Sequence, residues 1–329
     1  MHGIVVPKRT LGERHRHGES AAVFGLLREA AGENLLSALV TLVEVEGGSS
    51  RDIGAQMAVL ADGRYCGYVS GGCIEAAIAA EAVKAIEARQ DTTLRFGVGS
   101  PFFDIRLPCG GSIEVHIHQR PDPALVAEMA TLLGTRRAFG LELTPSRGTA
   151  SLVIGPDLHR TGWRDETFRC HYAPVTRLLL VGRGVELERA VQLAVAAGLD
   201  VVALCADDPA FAAARAAGAS ALRLDTPQDV PDLPIDRWTA AVTLFHDHDW
   251  ETALLRAIID SEAFFIGAMG SRHAHKVRCE RLAAAGAEAS SIARIKGPVG
   301  LFGPTRDAGA LAVSILADVT QQRLAFDAS

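Results

Sequence analysis

The 329-residue chain lacks the features that mark several large functional classes. Its six cysteines, Cys66, Cys73, Cys109, Cys170, Cys205 and Cys279, include no Cys-x-x-Cys pair. That excludes a zinc ribbon and a thioredoxin-type motif, and it fits a reducing compartment. No apolar run reaches the roughly 18 residues of a membrane span, and the N-terminus lacks the apolar centre of a secretory signal. Neither membrane insertion nor export is therefore expected, and the expected location is the cytoplasm. Positive charge is not in excess: the net charge of −6 argues against a general nucleic-acid binder. Lysine is scarce, four residues against 29 arginines, a bias attributable to genome composition before function. An apolar content of 48% is enough for a large core and two domains.

The chain does have three glycine loops between positions 47 and 111. The first, Gly47 to Met57, follows an apolar strand-like stretch and contains Arg51. The second, Ser70-Gly71-Gly72-Cys73-Ile74-Glu75, lies between a hairpin with an Asp62-Gly63 turn and an alanine-rich helix over 76–88. Cys73 is thus placed near a helix N-terminus, where unpaired amides and the dipole favour an anion and a thiolate forms more readily. A plainer reading stands beside it: glycines for the turn, a small buried cysteine, and Glu75 as a first-turn acid. The third loop, Pro108-Cys109-Gly110-Gly111, precedes the alternating run Ser112 to His118, which reads as a strand. Three such loops so close in sequence suggest one site. His116 and His118 share a strand face but have no third ligand nearby in sequence, which argues against a metal there.

From Arg177 onward the pattern alternates strand and helix. Leu178 to Val181 leads into Gly182-Arg183-Gly184, and a helix follows over 185–197. Further strands are expected at 200–204, 221–224, 238–245 and 263–268. Helices are expected at 209–217, 250–259, 273–285 and 306–323. This predicts a doubly wound, Rossmann-like parallel sheet whose ligand sits at the C-terminal strand ends. The N-terminal part reads as α+β, giving an α/β chain overall. Its expected divisions are a tail over 1–18, an α+β domain with a middle region over 19–174, and the Rossmann-like domain over 175–329. The stretch 155–174 shows little periodicity and reads as connection.

Gly182 and Gly184 are suited to present amides to a phosphate at a helix N-terminus, but the dinucleotide fingerprint is incomplete. Leu187 stands at the third glycine position, and Cys205 stands where an acid would hold the ribose, with Asp207 and Asp208 slightly later. Both departures argue against NAD(P). His246-Asp247-His248 lies at the same strand edge and is suited to binding a metal or moving protons. It reads equally as a polar loop in which Asp249 caps the next helix. Ser271 and Arg272 offer hydroxyl, amide and guanidinium groups to a phosphate. His273 and His275 read as helix surface.

Together these segments resemble the xanthine dehydrogenase accessory (XdhC/CoxI) family. Its N-terminal signature falls on Gly47 to Met57 (with Gly48 where the family often has Ser), on Gly71 to Glu75, and on Cys109 to Gly111. Its C-terminal signature falls on Thr243 to His248, Phe265 to Ser271 and Gly297 to Leu301. Each motif is weak alone, but their order is specific. The family often has His where this chain has Val185. The resemblance implies a chaperone for the molybdenum–pterin cofactor (molybdopterin), which it holds for sulfuration and passes to a molybdenum hydroxylase. The implied partners are a hydroxylase apo-subunit and a cysteine desulfurase, with a homodimer left open. On this reading Cys73 and Cys109 approach the metal, since soft thiolates suit sulfur-rich centres. Glu75 manages a proton, and Arg51, Gly71, Gly72, Gly182, Gly184, His246, Ser271 and Arg272 bind the cofactor. The alternative is an NAD(P)-dependent oxidoreductase using the Rossmann domain, with His246 or Glu75 as acid–base group.

Overall fold

The computed structural model of the chain describes residues 18–328, except 103–106, 108–109, 156–157 and 159. Cys109 and nearly all of the expected N-terminal tail lie outside the described residues. The described chain divides into two compact units, 18–174 and 175–328.

The first unit is built on two antiparallel sheets. Its elements run α1 (Gly18–Gly32), β1 (Ser37–Glu46), β2 (Gln56–Leu60), β3 (Tyr65–Gly67), α2 (Glu75–Ala88), β4 (Thr92–Gly97) and β5 (Ser112–Gln119). They continue with α3 (Pro123–Gly134), β6 (Phe139–Thr144), β7 (Thr149–Val153), β8 (Gly162–Arg164) and β9 (Thr167–Tyr172). The larger sheet has the order β3-β2-β1-β5-β4, and the smaller β7-β6-β9-β8. Alternation along β1 sends Ala38, Val40 and Leu42 to one face, where they meet Ile78, Ala82 and Ile86 of α2. Leu39 and Val43 face the other way, into a core shared with α1, α3, β6 and β9. Asp122 starts α3 by accepting the Ala124 amide, with Pro123 in the first turn.

Several short strands differ from the sequence expectation. The stretch 155–174 is not mere connection: it carries β8 and β9, whose Phe168, Cys170 and Tyr172 are buried. The intervening Thr167, Arg169 and His171 are half-buried and give the strand an alternating pattern. Strand β4, an edge strand beside β5, was also not anticipated.

The second unit is a six-stranded parallel sheet with helices on both faces. Its elements are β10 (Arg177–Gly182), α4 (Gly184–Ala196), β11 (Asp200–Cys205), α5 (Asp208–Ala216), β12 (Ser220–Arg223) and β13 (Thr239–Leu244). Then come α6 (His248–Ile259), β14 (Phe265–Ala268), α7 (Arg272–Ala284), α8 (Ala289–Ile292), β15 (Ile295–Lys296) and α9 (Ala308–Ala328). The order β12-β11-β10-β13-β14-β15 reverses direction between β10 and β13, so the doubly wound fold has its switch point there. Central strands are buried on both faces: Leu178 and Leu180 pack toward α4 and α9, Leu179 and Val181 toward α6. That explains the continuous apolar runs of the sequence.

Because Phe168 fills the core between the sheets, Phe168→Ala is expected to destabilise the protein by about 3–5 kcal/mol. Ile154→Ala, at an exposed position, is expected to stay within about 0.5 kcal/mol of wild type. Chemical denaturation of the full chain measures both; equal, small effects would mean that β9 is not part of the core.

Candidate functional site

In the first unit the glycine loops meet. Gly71 and Gly72 turn the chain with φ of +81° and +104°, a region that side chains resist. The Ser50 hydroxyl donates to the Ser70 carbonyl at 2.8 Å, and a Cβ on Gly71 would lie 2.5 Å from that hydroxyl. On the other side, a Cβ on Gly111 would collide with the carbonyls of Glu46 and Gly48. The loops around 47–51, 70–72 and 111 are therefore in direct contact, and at Gly71 and Gly111 only glycine allows it.

Glu75 holds this arrangement together. Its carboxylate is 2% exposed. One oxygen accepts the Val69 and Ser70 amides at 3.1 and 2.8 Å, and the other accepts the Ser70 hydroxyl at 2.7 Å and the Ile74 amide at 3.2 Å. Burial alone would raise this carboxyl, but the hydrogen bonds from Ser70 and neighbouring amides outweigh it and hold the group below its ordinary 4.5. Its geometry is that of an ionised loop anchor. Helix α2 starts at Glu75 with no side-chain cap from Ile74, so the Glu75 carboxylate takes the anion-favouring position at that helix end. Cys73 stands one residue before the cap and is exposed. Arg51, expected to face a phosphate, instead pairs with Glu19 of α1.

In the second unit a cavity of about 980 Å³ opens beside the C-terminal ends of β13 and β14. His246, Ser271 and Arg272 line it, joined by Glu186, Pro298 to Ala308, and Leu311. Gly182 and Gly184 are not among its lining residues. The Gly184 amide is already taken, donating to the Asp207 carboxylate at 2.7 Å, whose other oxygen caps α5 through the Ala210 amide. A phosphate at this glycine turn would have to displace an internal carboxylate. Cys205, at the ribose position, is fully buried, and burial together with the Asp207 charge pushes its thiol up to about 12.

The histidines also separate. His246 is exposed and comes within 3.8 Å of Glu186 at the cavity. His248 lies in the first turn of α6 and contacts Glu251 at 3.3 Å. The cap of α6 is Asp247, which accepts the Asp249 amide; Asp249 itself pairs with Arg281. His273 is exposed, but His275 is half-buried, bonded to Arg278 and packed beneath Gly297, a close approach that no surface reading anticipates.

Two ion pairs, one fully buried and one with a buried carboxylate, fix the cavity wall and were missed by sequence reasoning. Arg278 and Glu251, each 2% exposed, are joined at 2.8 Å. Arg278 also donates to the Met269 carbonyl at 2.5 Å, which sets the Gly270-Ser271-Arg272 turn. Asp318, fully buried, accepts Lys296 at 2.7 Å and the Gly300 amide at 3.0 Å, holding the opposite wall. Ser271 caps α7 through the Ala274 amide, so the N-terminal end of that helix borders the cavity that Ser271 and Arg272 line. A further cluster escaped the sequence reading: Asp91, just before β4, supplies the third group that His116 and His118 lacked. Burial pushes the His116 imidazole down to about 4 despite the Asp91 charge.

Comparison with known proteins supplies relatives for this architecture. Residues 178–319 match the XdhC Rossmann domain, and residues 31–97 match the XdhC and CoxI family. A molybdenum cofactor insertion chaperone, PaoD, of Escherichia coli (strain K12) is 39% identical over 288 residues, covering 87% of this chain and 83% of that protein. A crystal structure from Bacillus halodurans, described as a xanthine dehydrogenase, superposes with a TM-score of 0.72 at 21% identity, over 92% of this chain and 96% of that one. That likeness speaks for the fold.

The anchoring role of Glu75 has a pH signature. Its folded-state carboxyl lies below the ordinary 4.5, so its stabilisation is complete above that pH and is lost as pH falls through the folded-state value. Glu75→Gln is expected to cost about 1–3 kcal/mol near neutral pH, with the difference from wild type shrinking progressively below pH 4.5. Thermal unfolding across an acid series measures it; a pH-independent difference would contradict the ionised anchor.

Proposed function

The chain belongs to the XdhC and CoxI family, and on that premise we propose that it is a chaperone for the molybdenum–pterin cofactor. The carrying observation is the 39% identity to a molybdenum cofactor insertion chaperone over most of both chains. In this reading the chain binds the finished cofactor as cargo, keeps it available for sulfuration by a cysteine desulfurase, and delivers it to the apo-subunit of a molybdenum hydroxylase. The work takes place in the cytoplasm.

The local chemistry supports that division of labour. Cys73 stands exposed on a rigid glycine turn, where a thiolate meets a soft, sulfur-rich metal centre without a large rearrangement. Cys109, in the neighbouring glycine loop, is the second thiolate of the proposal. Glu75 contributes by holding the turn. Arg51 reaches a cofactor phosphate only by leaving Glu19, an exposed pair that is weak enough to exchange. In the second unit, Ser271, Arg272 and the first amides of α7 form a site for an anionic group. Leu301 and Phe302, large side chains that stand exposed on the cavity wall, provide apolar surface for a flat ring.

Asp207 bears on the choice between chaperone and dehydrogenase. The Gly184 amide donated to its carboxylate and the lack of an acid at position 205 support the chaperone reading over a nicotinamide-dependent one. Fluorescence titration with NADH and NADPH is expected to show no saturable binding at physiological concentrations. Micromolar affinity would favour the oxidoreductase.

Anaerobic co-expression with cofactor biosynthesis, followed by molybdenum and pterin analysis of the purified chain, tests the proposal. Wild type is expected to retain both. Cys73→Ser and Cys109→Ser are expected to lower retention about ten-fold, the order seen when a contact that tunes a metal site is removed, with thermal unfolding unchanged. Retention that follows stability alone would assign these cysteines to folding.

A further inference from the structure

We propose that Asp91, His116 and His118 form a binding site for one divalent transition-metal ion of the zinc class, separate from the cysteine loops. The three donor atoms lie within 4.8 Å of one another. Residues 116 and 118 are two apart on β5 and project from the same face, the one opposite α2. Asp91 reaches them from the residue before β4, the edge strand paired with β5.

One internal distance matches a shared ion and the other is within about 1 Å of it. His116 Nε2 and Asp91 Oδ2 are 3.7 Å apart, too long for a hydrogen bond. Two ligands bound at about 2.0–2.2 Å in tetrahedral geometry stand roughly 3.4 Å apart. His118 Nδ1 sits 2.6 Å from the same oxygen, a hydrogen bond in the metal-free protein that opens by under about 1 Å when an ion replaces the proton.

Two of the atoms that do not face the ion are held. Thr93, directly opposite His116 across β4 and β5, bonds His116 Nδ1 at 3.1 Å and so points Nε2 at the carboxylate. The Gln119 amide donates to Asp91 Oδ1 at 3.0 Å and leaves Oδ2 for the cluster. Outer partners of this kind orient ligands in metal sites. The side chains of His116, His118 and Asp91 are 2%, 9% and 7% exposed, so the ligands are fixed before any ion arrives. A Cβ at Gly148 would stand 3.7 Å from Asp91 Oδ2; the glycine keeps that approach free of a side chain.

Two neutral imidazoles and a carboxylate give a nitrogen–oxygen donor set for zinc, cobalt, iron or manganese, with water completing the coordination. Its place in the fold gives it a purpose. An ion there clips the start of an edge strand, which has a neighbour on one side only, to the sheet interior.

The test uses the full chain, stripped with EDTA, loaded with Zn²⁺ or Co²⁺, desalted and analysed for metal content. One ion per chain is expected to remain, and to remain in a Cys73→Ser, Cys109→Ser variant. Asp91→Asn and His118→Asn are expected to lose it, and Thr93→Val to weaken affinity about ten- to hundred-fold. Zn²⁺ is expected to raise the unfolding temperature of the stripped wild type and not of Asp91→Asn. Because a histidine variant that fails to fold would say nothing, the Co²⁺ spectrum of the unmutated chain provides a second reading: nitrogen and oxygen ligation gives no thiolate charge-transfer band. Metal that depends on the cysteines, a thiolate band, or no retained ion would each overturn the site.

Discussion

A buried carboxylate that accepts backbone amides is the interaction on which both halves of this protein depend. Glycine turns bring chain segments close together, and they leave N–H groups that neither helix nor strand can satisfy. Glu75 answers this for the turn at 69–74 with four donors on two oxygens. The half-buried Asp207 does the same for Gly184, and the buried Asp318 for Gly300. Glu251 acts one step removed, fixing Arg278, which grips the Met269 carbonyl. Leaving such a buried charge without its donors would cost more than the bonds contribute, so the loops are pinned to single conformations.

The same kind of internal carboxylate recurs beside each of the glycine turns. At Gly184 an internal carboxylate, that of Asp207, accepts the amide of the glycine turn. At Ser271 and Arg272, which line the cavity of the second unit, the nearby carboxylate is that of Glu251, paired with Arg278. Around Cys73 the same logic applies: Glu75 holds the turn from within and the thiol faces out.

The parts of this architecture legible in the sequence were those with a local cause. Leu178 to Val181 and the strands after it are apolar throughout because parallel strands are covered on both faces. Gly71 and Gly72 stand out because their backbone angles admit little else. Strand β9 was harder to see, since Arg169 and His171 break its apolar pattern while Cys170 and Tyr172 carry the burial. The edge strand β15 is only two residues long and has no pattern to read. The Asp207–Gly184 bond, the Glu251–Arg278 pair and the approach of Asp91 to His116 join residues distant in sequence. No spacing rule connects them; only the folded sheets do.

Hydrogen exchange of the full chain with and without bound molybdenum–pterin cofactor bears most directly on the account. Slowed exchange on loading is expected at the amides of 47–54 and 72–76, around Cys73, while the Gly184 amide, already bonded to Asp207, stays as it was. Protection at the 182–184 turn, with the glycine loops of the first unit unchanged, would contradict it.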